Sequence, residues 1–548
     1  MVLVFFLSLL GSLPLLSRYH LDEGWYTNAA IQMAQSGDYA TPRYADGTLR
    51  FRKPILTYWV LTISYAAMGI SLFSSRLPFL LAACAILWVT YRLAKSVTQD
   101  ESTGVLAAAI LGSNIQFMES ATKATPDILQ CLFLTISLWG AVELLFNRRR
   151  ESIWYALLYV GAGLGIATKG LLPFAFVAFV LLFTRPVPAE TDKPVRILHI
   201  GWLLAGLLVG LSWLAGTLLI RGPEVISTLF EDQVGERLEG AHRIFFSNLV
   251  LYVLTPVRFF APWILMLVMA AAMQKDWLWS YAQRHRRLIW FVLGWLLVNI
   301  AIFSLGNLMR PRYLLPTFPL LSVLLADILR QTLRGGKSAR LVSRIVQWVI
   351  LVCLGIGITL MLAGWRIDQR FAIGGLCFSG LLMFLYMRTF RRQVIPVLIS
   401  LSLAIMGAFG TLEQFLKPVV ITSPAAEITH KLLQLTPRPE AIAAVGLRHS
   451  VANQIRLLSG GRVTLAEFKE ETEQEALHRF PVMLVSRKIQ QDFVGSSGYE
   501  SEACGVDYPP LSFDEMWTAL KTGERVKRLE KDQKPYFLIR KQVMMPLS

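Results

Sequence analysis

The sequence predicts a polytopic α-helical membrane protein that ends in a small α/β domain. Of the 548 residues, 54% are hydrophobic and 17% are charged, and the mean hydropathy is positive. Soluble domains usually carry about 25% charged residues. Long apolar runs separated by short basic clusters recur up to about residue 416, and most of them are long enough to cross a bilayer.

The first apolar run, Val2 to Leu16, has no basic flank and no small-residue cleavage site. It therefore predicts a retained first helix rather than a signal peptide, and the missing flank suggests that the natural start lies upstream. With this helix the apolar runs give about 13 spans. The later runs lie at about 76–91, 103–118, 127–146, 152–184, 197–220, 247–271, 288–305, 313–329, 345–364, 371–387 and 395–415.

The basic clusters predict the orientation, because cytoplasmic loops of membrane proteins carry an excess of Lys and Arg. Four loops between apolar runs are rich in these residues, whereas the loops around Lys123, Arg310 and Arg366 are leaner. We expect a cytoplasmic N-terminus and an outer location for everything after about Lys417. The basic loops are "NRRRE" from Asn147, "QRHRR" from Gln283, "RQTLRGGKSAR" from Arg330 and "MRTFRRQ" from Met387.

Two segments leave an alternative open. The run 152–184 lies between two basic loops, so we expect a hairpin that turns at Lys169; one long kinked helix is the alternative. "ILTYWVLTISYAAMGI" from Ile55 is either a span or a helix lying in the interface, and its Tyr58, Trp59 and Tyr65 favour the interface. Only the interfacial helix puts Asp22 on the same side of the membrane as Asp127.

These patterns divide the chain into a transmembrane domain, 1–416, with a first outer loop of about 18–75, and a C-terminal domain, 417–548. The C-terminal domain alternates helical patterns ("SPAAEITHKLLQL", "KEETEQEALHRF") with β-like runs ("AIAAVG", "VMLVS", "PYFLIR"), as small α/β domains do. We expect its Asp and Glu residues to be solvated and assign it no catalytic role, although it could cover a site or select an acceptor.

Composition also excludes several classes of function. The net charge is +17, but the cations cluster between apolar runs and form no basic stripe, so we predict no nucleic-acid partner. The five cysteines form no CxxC or Cys/His metal pattern. No P-loop or GxGxxG motif is present, which argues against a soluble nucleotide-sugar donor.

Ionisable residues concentrate at the predicted outer face. Each has a simpler explanation on its own: Asp22 and Asp127 could stabilise helix N-termini, and the cations could snorkel to the interface. Together, acids and cations at one membrane edge suit glycosyl transfer from a lipid phosphate, because cations bind the phosphate and a carboxylate serves the incoming nucleophile. The residues are Asp22, Glu23, Arg52, Lys53, Lys123, Asp127, Lys169, Glu231, Asp232, Glu236, Arg237, His242, Arg310 and Arg312.

Several motifs occur in the order found in one enzyme superfamily. With "LDEGWYTNAAIQMAQSGDYATPRY", "KPILTYW", "TPDILQ", "TKGLLP" and "RPRYLLPTFP", the chain resembles the GT-C glycosyltransferases. Within them it is similar to glycosyltransferase families 39 and 83, which hold the protein O-mannosyltransferase-like enzymes and the bacterial lipid A aminoarabinose transferase. The resemblance covers most of the chain and implies the GT-C fold of 13 helices with a periplasmic C-terminal domain.

The resemblance also implies roles for individual residues. Asp22 matches the family's first-loop catalytic carboxylate, and Asp127 its later membrane-edge aspartate. We therefore expect both to be catalytic. Lys53, Arg52, Lys169, Arg310 and Arg312 are expected to bind the donor phosphate, and Glu23, Tyr26, Glu236, Arg237 and His242 to support the site.

One departure from the family concerns metal binding. In the aminoarabinose transferase a glutamate that helps to hold a metal precedes the lysine matched by Lys53, whereas this chain has Arg52. Arginine cannot ligate a metal in that role, so we predict no required metal or other cofactor. His242, without an acidic partner, is more simply a surface residue. The same change puts aminoarabinose as the donor sugar and lipid A as the acceptor in doubt.

The resemblance implies an inverting transferase of the bacterial inner membrane. It would move a sugar from a polyprenyl (undecaprenyl) phosphate to a lipid or glycan acceptor, such as lipid A, at the periplasmic face. A protein O-mannosyltransferase-like enzyme is one alternative. A lipid-linked sugar flippase is another, but it should show mid-membrane charges and internal repeats.

Overall fold

The computed structural model confirms a mostly helical protein with a C-terminal sheet. It describes residues 1–184, 197–223, 241–307, 309–333, 336–364, 368–389, 394–436, 439–468, 479–493, 499–508 and 534–541, with isolated positions between these ranges.

The described helices before residue 421 form one bundle around a shared apolar core. They are α1 (Val2–Leu10), α2 (Leu21–Ser36), α3 (Leu56–Met68), α4 (Leu72–Thr98), α5 (Glu101–Gly112), α6 (Ile115–Ala121), α7 (Pro126–Leu145), α8 (Ser152–Lys169), α9 (Leu172–Phe183), α10 (Ile200–Arg221), α11 (Ala241–Phe259), α12 (Trp263–Met273), α13 (Lys275–Arg284), α14 (Arg286–Ser304), α15 (Phe318–Thr332), α16 (Gly336–Gly364), α17 (Gln369–Thr389), α18 (Val394–Thr411) and α19 (Lys417–Val420). Two 3₁₀ segments, Leu16–Arg18 and Pro311–Thr317, lie between them.

Within the described part of the chain, seven helices are long and apolar enough to cross a membrane, or eight if the bent pair α11 and α12 forms one span. That pair bends by 87° within the run predicted at 247–271. The run predicted at 103–118 divides into α5 and α6, because the Asn114 side chain accepts a hydrogen bond from the backbone N–H of Phe117 at 3.0 Å and starts a new helix. The number of 13 spans stays a prediction.

The first loop contains two helices whose ends the sequence explains. Helix α2 begins with a capping box between His20 and Glu23 and ends at Gly37, which has a left-handed φ of 73°. Helix α3 has 13 residues and so extends about 20 Å, less than the ~30 Å hydrocarbon core. It is too short to qualify as a span, as the interfacial prediction requires.

The run 152–184 divides into two helices, and the hairpin stays a prediction. Helix α8 ends at Lys169, Gly170 adopts a left-handed φ of 100°, and α9 starts at Leu172. A residue with a Cβ is strained at that φ, so glycine allows the chain to turn directly after the lysine.

The C-terminal region forms a five-stranded mixed sheet. Its strands are β1 (Ile442–Val445), β2 (Leu465–Phe468), β3 (Val482–Ser486), β4 (Tyr499–Asp507) and β5 (Lys534–Lys541), in the order β2-β1-β3-β5-β4. Strands β2, β1 and β3 are parallel, and β5 pairs antiparallel with both β3 and β4. The described helices are α20 (Ala425–Leu433), α21 (His449–Leu458) and α22 (Arg487–Phe493).

The predicted runs "AIAAVG", "VMLVS" and "PYFLIR" coincide with β1, β3 and β5, which confirms the α/β character. The segment "KEETEQEALHRF" lies largely outside the described residues.

The C-terminal domain packs directly on the first loop. The Asn28 amide of α2 donates to the Asn453 side chain of α21, and Gln35 Nε2 donates to the Gly461 carbonyl at 2.7 Å. The Trp25 and His449 rings lie 4.4 Å apart. These contacts fix the domain above the edge of the bundle where the predicted site residues lie.

Candidate active site between the bundle, the first loop and the C-terminal domain

A cavity of about 980 Å³ lies where these three parts of the chain meet. Eight of the predicted site residues line it, so the structure brings together segments that are far apart in sequence. They are Asp22, Tyr26, Arg52, Lys53, Asp127, Lys169, Arg310 and Arg312. This shared cavity is the arrangement that the interfacial placement of α3 predicts.

Asp22 lies in the first turn of α2 and contacts two arginines. Arg310 Nη1 donates to its Oδ2 at 2.9 Å, and Arg312 Nη2 donates to the same oxygen. Burial alone would raise the pKa of Asp22, but the hydrogen bond and charge of Arg312, with the charge of Arg310, hold it below its ordinary value. Asp22 is therefore an ionised carboxylate on the cavity wall.

Asp127 is the second carboxylate of the cavity. It follows Pro126 in the first turn of α7, a favourable place for negative charge. Its side chain is 3% exposed, with Lys169 Nζ 2.5 Å from Oδ1 and Arg312 Nε 3.3 Å from Oδ2. Arg312 thus links the two carboxylates.

The cations outnumber the acids in this part of the cavity. Arg310, Arg312 and Lys169 surround two carboxylates, and Lys169 Nζ also lies 4.2 Å from the centre of the Tyr313 ring. Lys53 lines the cavity beside Arg52, and its Nζ donates to the Arg52 carbonyl at 3.0 Å. An excess of positive charge at a cavity suits an anionic ligand such as a phosphate.

Glu23 lies outside the cavity lining and serves the structure instead. Its carboxylate forms a two-pronged pair with Arg76, with both N···O distances at 2.9 Å. It also accepts from the backbone N–H groups of Ala124 and His20 at 2.9 Å. Burial alone would raise the pKa of Glu23, but Arg76 holds it below its ordinary value.

Arg76 was missed in the sequence. Fully buried in α4, it also donates from Nη1 to the carbonyls of Leu13 and Leu15, at 2.8 and 2.9 Å. The Glu23–Arg76 pair thereby joins the segment that follows α1 to the start of α2 and to the loop before α7. The sequence shows only one sign of this pair, which is that Arg76 stands at the start of an apolar run.

The far wall of the cavity comes from the C-terminal domain. Arg456, Glu467 and His449 line it, with Phe468, Arg479 and Phe480 nearby. Our expectation that the acids of this domain are solvated was wrong for Asp507, which is 6% exposed and paired with Arg448. Glu467 is exposed, but it is bound by His449 Nδ1 at 2.8 Å and Arg456 Nη1 at 2.7 Å.

Three predicted supporting residues lie wholly or partly outside the described part of the chain. Glu236 and Arg237 are outside the described residues, and His242, the second residue of α11, has no described side chain. Among the described residues no group of three or more His, Cys, Asp or Glu side chains is arranged to hold a metal.

Comparison with known proteins agrees with this architecture. Residues 52–215 match the family model "Dolichyl-phosphate-mannose-protein mannosyltransferase". An uncharacterised protein of Aquifex aeolicus is 28% identical over 62% of this chain, and the match spans 64% of that protein, just under two thirds of its length. The undecaprenyl phosphate-alpha-4-amino-4-deoxy-L-arabinose arabinosyl transferase of Yersinia pestis is 26% identical over 69% of this chain and 70% of its own.

The fold matches a solved structure over nearly the whole chain. ArnT from Cupriavidus metallidurans bound to undecaprenyl phosphate superposes with a TM-score of 0.65 at 18% identity, covering 92% of this chain and 94% of ArnT. The apo form of the same protein gives a TM-score of 0.63. The chain thus resembles the bacterial aminoarabinose transferases in sequence and has the fold of ArnT.

Proposed function

We propose that the protein is an integral-membrane, inverting glycosyltransferase that takes a sugar from a polyprenyl phosphate. The observation that carries this proposal is the chain of contacts Asp22–Arg312–Asp127–Lys169 on one cavity at the end of the helical bundle. Relatives named as undecaprenyl-phosphate sugar transferases, and a similar fold with undecaprenyl phosphate bound, support the same donor class.

The cations of the cavity suit the leaving group. When the acceptor oxygen attacks the anomeric carbon from the opposite face, the bond from that carbon to the phosphate oxygen breaks and negative charge moves to the phosphate. Arg310, Arg312, Lys169 and Lys53 would stabilise that charge. Arginine is suited to this role because its fork donates two hydrogen bonds and keeps its charge.

Asp22 serves the acceptor. If the acceptor is a hydroxyl, Asp22 takes its proton as a general base; if it is a phosphate, already anionic at neutral pH, Asp22 orients it or offsets positive charge at the anomeric carbon. Its ionised state suits both roles. We propose a lipid acceptor of the lipid A class, as the resemblance to the aminoarabinose transferases implies.

We place the reaction at the outer face of the inner membrane, with a cytoplasmic N-terminus. We also propose that no metal is required, because the resemblance matches Arg52 to a metal-binding glutamate and three cations already surround the carboxylates. A chelator that abolishes transfer, with recovery on adding zinc, would contradict the second point.

The test uses the full-length protein in lipid vesicles with undecaprenyl-phosphate-linked sugars and lipid A. We expect free undecaprenyl phosphate to be released only when both substrates are present, and the glycosylated lipid to be detected by mass spectrometry. Binding of undecaprenyl phosphate is measured separately. A wild-type protein that does not bind undecaprenyl phosphate would refute the proposal, and transfer to a protein hydroxyl instead of lipid A would correct the acceptor.

A further inference from the structure

The part of the cavity that faces the C-terminal domain has its own chemistry, separate from the cations around Asp22 and Asp127. It is formed by Trp25, Tyr44 and Arg50 of the first loop and by His449 and Glu467 of the C-terminal domain. We call this group the upper subsite.

Arg50 is the central charge of the upper subsite. The residue is only 5% exposed although it lines the cavity, and its guanidinium carbon lies 5.5, 5.6 and 4.9 Å from the ring centres of Trp25, Tyr26 and Tyr44. Burial alone would lower the pKa of Arg50, but the neighbouring tyrosines raise it, so the group stays charged.

No carboxylate among the described residues pairs with Arg50, and its buried Nε has no hydrogen-bond partner there. A buried charge normally has a counter-charge, because removing it from water costs several kcal/mol. The aromatic rings offset part of this cost, since a cation over a ring face is attracted to the ring electrons. The remaining hydrogen-bonding capacity is available for an anion.

The two acids of this region are already bound by other groups. Asp46 accepts from the Thr48 backbone N–H at 2.9 Å and from its hydroxyl at 2.6 Å. Glu467 is held by His449 Nδ1 and Arg456. The His449 ring lies 4.4 Å from that of Trp25, and its Nε2 has no hydrogen-bond partner among the described residues.

We propose that the upper subsite binds the acceptor by an oxyanion, a phosphate monoester or a carboxylate, carried on a sugar ring. Arg50 binds the oxyanion, the faces of Trp25 and Tyr44 contact the sugar, and His449 adds a hydrogen bond. The donor phosphate belongs to Arg310, Arg312 and Lys169, so the two anions do not compete. This proposal rests on the proposed function and gives the C-terminal domain a part in acceptor selection.

The test compares Arg50→Gln with Arg43→Gln in the full-length protein in nanodiscs. Arg43 is a matched control because it lies in the same loop, does not line the cavity and donates only to the Gly47 carbonyl among the contacts described. The probes are undecaprenyl phosphate, lipid A, enzymatically dephosphorylated lipid A and a glucuronosyl glycolipid, and the readout is the dissociation constant of each.

We expect Arg50→Gln to weaken lipid A binding about 10- to 100-fold, as for loss of a hydrogen bond to a charged group, and to leave undecaprenyl phosphate binding unchanged. Arg43→Gln should change neither. Loss of lipid A binding on dephosphorylation identifies a phosphate as the oxyanion, whereas tight binding of the glucuronosyl lipid alone identifies a carboxylate.

Three results would overturn the subsite. They are equal weakening of donor and acceptor binding by Arg50→Gln, unchanged binding of both lipid A and the glucuronosyl glycolipid in that variant, and wild-type binding that is insensitive to the acceptor's charge. If Arg50→Gln does not fold, His449→Gln replaces it, with an expected loss of about 3- to 10-fold for the anionic acceptor. Failure of undecaprenyl phosphate to bind the wild type would instead refute the proposed function.

Discussion

Helix α7 carries a buried carboxylate near each end, and the two are bound differently. Asp127 at its start contacts Lys169 and Arg312. Glu143 near its end accepts from Ser96 Oγ at 2.6 Å, Trp139 Nε1 at 3.1 Å and Asn147 Nδ2 at 2.8 Å, with the half-exposed Arg149 at 3.3 Å. Asp127 lines the cavity and Glu143 does not.

The difference distinguishes a functional carboxylate from a structural one. Mainly neutral donors form the hydrogen bonds to Glu143, so there is little positive charge around it for a ligand to bind. Asp327 is similar, because the neutral side chains of Tyr281 and Gln331 bind it. Cations satisfy Asp22 and Asp127, and those cations also face a cavity. Burial of an acid is therefore weak evidence for catalysis, whereas shared cations beside open space are stronger evidence.

Neutralising one cavity acid and one structural acid tests whether the two kinds of carboxylate differ in function. We expect Asp22→Asn to lower the transfer rate about 10²- to 10⁴-fold, the usual contribution of a general base, with little change in thermal stability because its side chain is 23% exposed. Glu143→Gln should lower stability instead and keep the rate per folded molecule. Transfer assays with each purified variant, normalised to folded protein, check both; full activity in Asp22→Asn would contradict its role.

The Glu23–Arg76 pair tests whether Glu23 has a structural role, in contrast to its neighbour Asp22. Arg76→Met leaves Glu23 buried and uncompensated, so we expect a loss of about 3–5 kcal/mol in the free energy of unfolding. Thermal unfolding in detergent measures the loss. The double variant Glu23→Leu with Arg76→Met should recover part of it, and a single variant as stable as the wild type would contradict the structural role.

Lys169 tests whether the surplus cations bind a phosphate. Lys169→Met should weaken undecaprenyl phosphate binding about 10- to 100-fold, because one charged hydrogen bond is removed. The matched control is Lys431→Met in the C-terminal domain, because Lys431 pairs with the exposed Glu502 and neither residue lines the cavity. Equal binding by both variants would exclude Lys169 from the donor site.

The smallest expected effect concerns pH. Because the pKa of Asp22 is lowered, the carboxylate stays ionised as pH falls from 7 to its ordinary value of about 3.9, and protonation occurs only below that. We expect no loss of rate from Asp22 between pH 7 and 5. Arg310→Gln removes one cause of the shift and should move the acid limb of the pH–rate profile upward. If the acid limbs of the wild type and of Arg310→Gln coincide, Asp22 is not the group that titrates in the acid limb.

Most of the carboxylates and cations of the cavity could be predicted, because ionisable residues at the ends of apolar runs have few other reasons to cluster. The strands β1, β3 and β5 were also predictable from their apolar runs. Strands β2 and β4 were not, because Glu467 interrupts the apolar residues of "LAEF" and "YESEACGVD" begins with a polar run from Glu500 to Glu502.

No local sequence pattern predicted the upper subsite. Its formation depends on α2 meeting α21, through contacts such as Asn28 to Asn453 that join residues 425 positions apart. The role of Arg76 could not be predicted for another reason. A single arginine in an apolar run is usually interpreted as an interfacial cation unless its ion-pair partner is known.

The long sequence separation between Asp22 and the two arginines that bind it has a consequence for biosynthesis. The Asp22 contacts to Arg310 and Arg312 span 288 and 290 positions, so a nascent chain exposes this acid long before its partners leave the ribosome. Any product truncated ahead of residue 310 carries the acid without either guanidinium. The ion pairs can therefore form only after the chain has been made as far as residue 312.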